Sequence, residues 1–328
     1  MTVYFVLPGG VDDPARPSGG NRYDRAVCDR LPDVCEIAVP GTWPRPSPSS
    51  LAALRSALDD IPEMSDVVID GLVACSVPEV VEKARQRMII IVHLPLGDES
   101  AAAADLVPLE RRALHAAAAV VVTSEQAAER VISLHDLPRA TVHVAPPGVD
   151  PAPPASPSPG GGRLLCVAAI SPRKGQDVLL AALAELGDLE WRCTFAGAGT
   201  LEIGDPRIRV VGPLGADALD AAYADADLLV LPSRAETYGM VVTEALARAL
   251  PVIGTRVSGV PEALGATRDG LLPGVLVAPG DPAALAAAIR DWLTDPDLRE
   301  RWRAAARERR ATLHGWDETV RRIQEVLR

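Results

Sequence analysis

Short apolar runs recur along the chain and alternate with longer stretches of mixed polarity. Each short apolar run predicts a buried strand, and each longer stretch of helix-forming residues predicts a helix. This alternation is typical of a parallel sheet covered by helices on both faces. In the first half, strands are predicted at 2–7, 34–39, 66–70, 88–93, 119–123 and 141–145, and helices at 21–31, 50–59, 78–87, 101–116 and 124–134.

The same alternation resumes after a segment that is rich in proline, serine and glycine. Because this segment lacks an apolar period, it predicts a linker, and the chain divides into two domains large enough for separate cores. We place the first domain at 1–147, the linker at 148–162 and the second domain at 163–312. In the second half, strands are predicted at 163–169, 190–196, 208–211, 228–231, 252–253 and 271–277, and helices at 176–185, 240–250 and 281–293.

The strand that begins at Leu228 is followed by a polar loop with Glu236, and then by a helix with Glu244 in its second turn. At the start of that helix, the N–H groups of Gly239, Met240 and Val241 have no partner inside the helix. Such a helix start favours a phosphate or a diphosphate. A diphosphate there, with hydroxyl-bearing groups near the two acids, predicts a nucleotide sugar; the alternative is a helix with two ordinary surface glutamates.

Composition narrows the class of partner. The net charge of −11 argues against nucleic acid, and an acidic protein that binds a diphosphate must supply local positive charge. Lysine occurs only at Lys83 and Lys174. The five scattered cysteines without a C-x-x-C pair favour reduced thiols in the cytoplasm. The start of the chain is not typical of a signal peptide, and no apolar run approaches the length of a membrane span.

Glu236 and Glu244, in PSRAETYGMVVTEALARALPVIGT, resemble the E-x7-E signature of the family 4 retaining glycosyltransferases of GT-B architecture. The resemblance implies two Rossmann-like, doubly wound parallel-sheet domains that face each other across a cleft. The second domain would hold most of the donor, and a final helix at 313–328 would cross back to the first. In this family Glu236 would bind sugar hydroxyls and Glu244 the ribose.

Two positions of the first domain also match the family. Gly19 and Gly20, in PSGGNRYDRA, resemble its glycine-rich loop near the donor diphosphate, and we expect them at the end of the loop after the first strand. His93 follows the strand MIIIV, where the family's histidine reaches the donor sugar. A plain turn and a structural histidine are the alternatives at these two places.

In the second domain, Lys174 follows the first strand in SPRKG, where a flexible ammonium suits a diphosphate. The resemblance assigns this lysine to the donor phosphates. Family members usually have Gly-Arg shortly before it, whereas this chain has Ala169 and Ile170. Arg173 could replace the missing arginine.

The turn that contains Gly212 and Leu214 corresponds to the family's turn against the nucleobase.

Two other motifs are excluded from the predicted site. The run Gly197-Ala198-Gly199 has Glu202 where a dinucleotide fingerprint needs a third glycine, which argues against a dehydrogenase. Asp225-Ala226-Asp227 matches a metal-binding D-x-D motif, but it precedes a strand and so lies away from the ligand edge. We therefore expect no metal and no cofactor.

The sequence thus predicts a metal-independent, retaining glycosyltransferase of the hexosyl or N-acetylhexosaminyl class, with a nucleoside-diphosphate sugar such as a UDP-sugar as donor. The acceptor would be a hydroxyl-bearing small molecule or a lipid-linked one. A nucleotide-sugar epimerase or phosphorylase on the same fold, and a weakly active nucleotide-sugar-binding protein, are the alternatives. The arginine-dense run at 299–310 is interpreted as a solvated helix face in preference to a membrane contact.

Overall fold

The computed structural model describes residues 2–13, 18–99 and 101–327. The described chain divides into two compact units. The first contains residues 2–13, 18–99, 101–148 and 316–327, and the second contains residues 149–315. Each unit is built around its own parallel sheet, in agreement with the predicted α/β class.

In the first unit, strands and helices alternate as the apolar pattern predicts. The elements are β1 (Val3–Pro8), α1 (Gly19–Cys28), β2 (Val34–Val39), α2 (Pro48–Asp59), β3 (Asp66–Asp70), α3 (Gly71–Ala74), α4 (Pro78–Lys83), β4 (Arg87–Val92), α5 (Leu96–Glu99), α6 (Val107–Ala116), β5 (Ala119–Val122), α7 (Glu125–His135) and β6 (Val142–Val144).

The strands of the first unit pair in the order β2-β1-β3-β4-β5-β6, and all pairs are parallel. Every residue of β3 and of β5 is buried, because helices cover both faces of these strands; their continuous apolar runs reflect this burial. The strand order reverses between β1 and β3. Ligands of doubly wound sheets bind beside such a reversal, at the carboxyl ends of the strands.

The second unit repeats this architecture with a different strand order. Its elements are β7 (Arg163–Val167), α8 (Gln176–Ala184), β8 (Arg192–Ala196), β9 (Ile208–Gly212), α9 (Ala216–Ala224), β10 (Leu228–Leu231), α10 (Met240–Ala247), β11 (Val252–Thr255), α11 (Val260–Leu264), β12 (Gly274–Val277), α12 (Pro282–Thr294) and α13 (Pro296–Arg310). The strands pair in the order β12-β11-β10-β7-β8-β9, which is the Rossmann order, and the direction reverses between β7 and β10.

The first helix corrects one expectation from the sequence. Gly19 and Gly20 do not end a loop; they are the first two residues of α1. The Ser18 side chain caps this helix by accepting a hydrogen bond from the N–H of Asn21, 3.0 Å away. Since a serine at the N-cap offsets the low helix propensity of glycine, the helix begins two residues earlier than the pattern suggests.

The last helix, α14 (Trp316–Gln324), belongs to the first unit. The Trp316 ring lies edge-on to the Tyr23 ring of α1, with 5.8 Å between the ring centroids. The Thr319 hydroxyl donates to the carbonyl of Pro146 at 2.7 Å. These contacts attach α14 to the first helix and to the end of the first unit's chain.

The proline-rich segment 149–162 forms neither helix nor strand, and it is hydrogen-bonded within the second unit. The buried Asp227 carboxylate accepts hydrogen bonds from the backbone N–H and the hydroxyl of Ser158 at 2.5 and 2.6 Å. The same carboxylate accepts from the N–H and the guanidinium of Arg163. One aspartate before β10 therefore fixes both the segment and the start of β7.

The arginine-dense helix α13 differs from the solvated face that we expected. The Arg299 guanidinium is buried and donates to the carbonyls of Trp292 and Leu293. Arg303 and Arg310 donate to backbone carbonyls of Ser158 and Ala152 at 3.0 and 2.8 Å. Several arginines of this helix thus bind backbone carbonyls of the second unit. The ion pair between Arg307 and Glu300, seven residues apart, is exposed.

Candidate active site

Lys174 and Glu236 meet where the strand order of the second sheet reverses. Lys174 follows β7, Glu236 follows β10, and these strands are neighbours in the sheet. The lysine Nζ lies 2.6 Å from Oε1 of Glu236, and both side chains are largely buried. The two residues that the sequence places on separate loops therefore form one ion pair at the ligand edge of the sheet.

The loops that bear this ion pair are packed against each other. Gly175 has a φ of +68°, and a Cβ atom at this position would lie 2.2 Å from the carbonyl oxygen of Pro232. The N–H of Arg234 donates to the carbonyl of Arg173 at 2.7 Å. Glycine is required at 175 both for its positive φ and for the close approach of the second loop.

Glu236 is held by a second contact within its own loop. The Ser233 hydroxyl donates to Oε1 of Glu236 at 2.8 Å. The carbonyl of Ser233 in turn accepts a hydrogen bond from the Thr255 hydroxyl at the end of β11. A buried carboxylate with two donors on one oxygen has a fixed orientation, which suits a group that positions ligand hydroxyls.

Helix α10 begins directly after this loop. Gly239, its N-cap, has a φ of +88°, and no described side chain caps the helix. Met240 and Val241 in the first turn are partly exposed. The N–H groups of the first turn and the positive end of the helix dipole therefore follow Glu236 closely in the chain.

Glu244 lies in the second turn of α10 and is buried. The Tyr223 hydroxyl of α9 donates to Oε2 of Glu244 at 2.8 Å. The Arg248 guanidinium lies 4.7 Å from the centre of the Tyr223 ring and donates to the backbone carbonyl of Glu244. This contact with Tyr223 was missed in the sequence, because the two residues belong to different helices and share no local pattern.

Ile170 stands where members of the family usually have an arginine, and Arg173 is the residue that we expect to replace it. The N–H of Ile170 donates to the carbonyl of Ala198 at 2.7 Å, and its Cβ would lie 2.9 Å from a Cβ at position 199. Arg173 directs Nη1 toward the carbonyl of Ala235, 3.4 Å away, in the loop that carries Glu236. A guanidinium is thus present beside the loop, although it comes from a different position.

Gly212 ends β9 with a φ of +70°, and its carbonyl accepts from the N–H of Gly197 at 2.8 Å. Leu214, two residues later, is partly exposed.

The D-x-D motif lies at the opposite, amino end of β10, as its position in the sequence predicts. Its two carboxylates pair with arginines: Asp225 contacts Arg163 and Arg192, and Asp227 contacts Arg163.

In the first unit, His93 follows β4 and packs against the start of α1. A Cβ at Gly20 would lie 3.0 Å from Cδ2 of His93, so the second glycine allows the imidazole to lie close to the helix. His93 Nε2 lies 2.7 Å from Oδ1 of Asp24 and 3.9 Å from Oδ2 of Asp70. The sequence reasoning found Gly20 and His93 but missed both acids.

Burial shifts the pKa values of His93 and of the two acids beside it. Burial raises the pKa of Asp24 to about 7, against the lowering effects of a hydrogen bond with Asp70 and of the Arg25 charge. Burial, and then the neighbouring Asp24, raise the pKa of Asp70 well above its usual range. Burial lowers the pKa of His93, while Asp70 opposes this change. His93 is therefore neutral near neutral pH.

Comparison with known proteins identifies the family. The family model described as Glycosyltransferase Family 4 matches residues 6–153, and the model described as Glycosyl transferases group 1 matches residues 155–309. A D-inositol 3-phosphate glycosyltransferase of Catenulispora acidiphila is 31% identical; the match covers 93% of this chain and 85% of the relative. A namesake from Kineococcus radiotolerans is 32% identical over 67% of this chain and 59% of its own length.

The chain belongs to the family 4 glycosyltransferases.

Solved structures confirm the GT-B fold of this family 4 glycosyltransferase. A sucrose-phosphate synthase from Thermosynechococcus elongatus superimposes with a TM-score of 0.80 at 20% identity, covering 99% of this chain and 98% of that one. Anabaena HepE, solved in complex with UDP and glucose, gives a TM-score of 0.78 at 16% identity, with coverage of 99% and 98%. No helix in the described ranges has both the length and the apolar character that a membrane crossing requires.

Proposed function

We propose that this glycosyltransferase moves a sugar from a nucleoside-diphosphate sugar to a hydroxyl-bearing acceptor, with retention at the anomeric carbon and without a metal ion. The observation that carries the proposal is the ion pair of Lys174 with Glu236, 2.6 Å apart beside the strand reversal of the second sheet. A cation and an oriented carboxylate at this edge suit the two halves of an activated sugar, namely its diphosphate and its hydroxyl groups.

Lys174 and the first turn of α10 would bind the diphosphate. Charge accumulates on this group as the bond to the sugar breaks, so a cation and fixed N–H groups stabilise the transition state more than the bound substrate. Arg173, with its guanidinium near the carbonyl of Ala235, would supply a second cation. These groups would perform the charge neutralisation that a metal ion performs in other transferases.

Glu236 would exchange its ion-pair partner when the donor binds. In the ligand-free enzyme its Oε1 accepts from Lys174 and from Ser233. When the diphosphate attracts the ammonium, the carboxylate remains fixed by Ser233 and can accept hydrogen bonds from sugar hydroxyls. Glu244, oriented by Tyr223, would accept from the ribose. Retention follows if the departing phosphate removes the acceptor's proton on the same face of the sugar.

The activities named for the relatives guide the choice of substrates. HepE was solved with UDP-glucose, and several curated relatives are D-inositol 3-phosphate glycosyltransferases. A UDP-hexose and a phosphorylated cyclitol are therefore the first donor and acceptor to test.

For the base contact we propose the turn with Gly212 and Leu214, and for the donor contacts of the first unit we propose Gly19, Gly20 and His93. We also place the reaction in the cytoplasm, since the five cysteines of the described chain are free thiols.

One observation favours a second candidate, a nucleotide-sugar-binding protein with little turnover. Ile170 occupies the place of the family's arginine, and its backbone N–H is fixed to Ala198. Loss of one donor to a developing anion costs roughly 3–4 kcal/mol in transition-state stabilisation. If Arg173 does not compensate, the protein would bind the donor and release the nucleoside diphosphate only slowly.

The test compares substitutions of the two lysines of the chain, Lys174 and Lys83. With UDP-glucose as donor and a cyclitol phosphate as acceptor, Lys174→Met is expected to lower kcat at least a hundredfold while the donor Kd rises less than tenfold. The control is Lys83→Met, which removes an exposed charge in α4 and should leave both constants unchanged.

The anomeric configuration of the product, read by proton NMR, tests retention in the same reaction. EDTA in the assay tests independence of metal, and activity should persist. A loss of donor affinity with kcat unchanged for Lys174→Met would mean that the lysine only binds. An inverted product, or activity that EDTA abolishes, would contradict the proposal.

A further inference from the structure

Three polar side chains converge at the carboxyl edge of the first unit's sheet. Asp24 comes from the second turn of α1, Asp70 ends β3, and His93 follows β4. Their ligand-type atoms all lie within 4.8 Å of one another, and both aspartates are buried. β3 pairs with β1 at the reversal of the strand order, and β4 is the next strand in the sheet. The site therefore occupies the edge at which doubly wound sheets bind ligands.

The two carboxyl groups cannot both be charged. Oδ2 of Asp24 is buried and finds no donor among the described residues, while Oδ1 of Asp70 accepts from the N–H of Leu72 at 2.5 Å. Two neighbouring buried acids retain one proton between them until the pH is well above the ordinary range. Both pKa values are raised by burial, that of Asp24 to about 7, which agrees with one shared proton.

The other charged or titratable groups near this pair are few. On α1, Tyr23 lies edge-on to the imidazole at 5.1 Å, and the Arg25 charge lowers the pKa of Asp24. After α3, the Cys75 thiol is buried, and burial and then the charges of Glu110 and Asp70 raise its pKa well above its usual range. Tyr23 donates its hydroxyl hydrogen to the carbonyl of Ala145 and so offers no proton to the pair.

The ring nitrogens of His93 have different surroundings. Nε2 is hydrogen-bonded to Asp24 at 2.7 Å, whereas Nδ1 has no hydrogen-bond partner among the described residues. The side chain keeps 16% of its surface exposed. In a neutral imidazole one nitrogen donates and the other accepts, and the partner of the first decides the role of the second.

We propose that the protonation state of Asp24, coupled to Asp70, sets the tautomer of His93 and so makes Nδ1 a hydrogen-bond acceptor for a hydroxyl of the sugar substrate. When Asp24 is ionised, it accepts the hydrogen from Nε2 and leaves Nδ1 bare. When Asp24 is protonated, it donates to Nε2, and the ring hydrogen moves to Nδ1. The substrate contact rests on the proposed function, whereas the proton arrangement does not.

A metal ion does not account for the geometry as well as a proton does. Two ligands that each lie about 2.1 Å from one ion are separated by roughly 3.0–3.4 Å. The observed 2.7 Å between Nε2 of His93 and Oδ1 of Asp24 is a hydrogen-bond distance. The 3.9 Å from Nε2 to Oδ2 of Asp70 is too long for two ligands of one tetrahedral ion.

The first unit provides a matched control. His135 Nε2 lies 3.0 Å from Oε2 of Glu110, and both side chains are buried. Glu110 also accepts from the N–H of Leu96, at 3.1 Å, so it has a backbone donor of its own. The Nδ1 atom of His135 is buried, which prevents contact with a ligand. Glu110→Gln therefore alters a histidine–carboxylate pair of the same chemistry that cannot reach substrate.

The experiment is long-range proton–nitrogen NMR of the full chain labelled with ¹⁵N-histidine, with the His93 signals assigned by their loss in His93→Gln. In the wild type, His93 should carry its hydrogen on Nε2 above about pH 7 and shift toward Nδ1 below it. In Asp24→Asn, the amide oxygen accepts from Nε2 and the amide hydrogens face Asp70, so His93 should keep the Nε2–H form at every pH. Glu110→Gln should leave the His93 signals as in the wild type.

A wild-type tautomer that does not change with pH, or an Asp24→Asn variant that titrates as the wild type does, would overturn the proton arrangement. So would signals of His93 that move on addition of zinc or manganese, because a bound ion would then replace the shared proton. These outcomes are read in the free enzyme and do not depend on which reaction it catalyses.

Kinetics test the substrate contact. Wild-type kcat/KM should fall roughly five- to tenfold as the pH drops below about 7, the loss expected for one hydrogen bond, and Asp24→Asn should show no such fall. Glu110→Gln should retain the wild-type profile. Parallel profiles for wild type and Asp24→Asn would overturn the substrate contact. If NMR gives the expected tautomers but no sugar donor is turned over, the proposed function fails and the proton arrangement stands.

Discussion

Asp24 shows how a single buried residue links the candidate site to stability. Its pKa rises from the ordinary value of 3.8 to about 7 because burial disfavours the charged form. Between these values the folded protein holds a proton that the unfolded chain has released. The free energy of unfolding contributed by this group therefore decreases as the pH rises through that range.

Asp24→Asn should remove this dependence. The difference between the free energies of unfolding at about pH 5 and about pH 8 should be smaller in the variant by on the order of 2 kcal/mol. Urea unfolding at the two pH values measures it, with Asp59→Asn, an exposed change at the end of α2, as the control. A variant that loses as much stability with rising pH as the wild type would contradict the buried, shared-proton state of Asp24.

Residues of the second-unit site could be identified from the sequence where they belong to a local pattern. Glu236 and Lys174 each follow an apolar strand, and parallel strands bring their carboxyl ends to one edge. Tyr223 has no such signal, since its contact with Glu244 depends on how α9 packs on α10. Asp70 ends a strand and His93 follows one, so the position of Asp70 in the sequence is a signal that could have placed it near His93.

At the scale of elements, the connection between β7 and α8 depends on Gly175. Its positive φ and the nearby carbonyl of Pro232, 2.2 Å from an added Cβ, leave no room for a side chain. Gly175→Ala should lower the free energy of unfolding by roughly 2–4 kcal/mol and weaken donor binding, because the loop with Lys174 must move.

The control for this change is Gly187→Ala, in the turn after α8, where an added Cβ meets nothing within 4 Å. That variant should be within about 0.5 kcal/mol of the wild type. Urea unfolding measures both, and calorimetric donor titration measures the loss of binding. If Gly175→Ala were as stable as Gly187→Ala, the close packing of the two loops would be wrong.

The strands were easier to predict than the helix ends. The strand 66–70 has the predicted bounds, because its apolar run is short and continuous. Helix α1 begins earlier than predicted, because the Ser18 cap outweighs two glycines. The arginines of α13 resembled a solvated face, because periodicity does not reveal that buried backbone carbonyls face them.

At the scale of the whole molecule, one side chain fixes the chain where it enters the second sheet. The Asp227 carboxylate accepts hydrogen bonds from Ser158 in the proline-rich segment and from Arg163 at the start of β7. Although burial alone would raise its pKa, the hydrogen bonds from Arg163 and Ser158 lower it. Because the folded-state pKa lies below the ordinary 3.8, this contribution is present at neutral pH and is lost as the pH falls below about 4.

Asp227→Asn should lower the free energy of unfolding by roughly 3 kcal/mol at neutral pH, since it leaves the Arg163 guanidinium without its buried partner. Asp225→Asn is the matched control, because that side chain in the same motif is exposed and should cost less than about 1 kcal/mol. Thermal unfolding of both variants measures the difference. Equal stabilities would show that Asp227 does not fix the segment at 149–162.

The two units reach the same architecture with different strand orders, and the alternating pattern of the sequence gives the class but not the order. Both orders reverse beside the first strand of the unit. The candidate groups lie at those reversals: Lys174 and Glu236 in the second sheet, and Asp24, Asp70 and His93 in the first.

The central claim is that the start of α10, together with Glu236 and Glu244, holds an activated sugar. Calorimetric titration of UDP-, GDP-, ADP- and TDP-glucose into the wild type, Glu244→Gln and the exposed control Glu185→Gln tests it most directly. We predict that one nucleotide sugar binds the wild type and the control equally, and that its affinity falls roughly ten- to hundredfold in Glu244→Gln, the loss of a hydrogen bond to a charged group. Equal affinities in all three proteins, or no binding of any nucleotide sugar, would contradict the account.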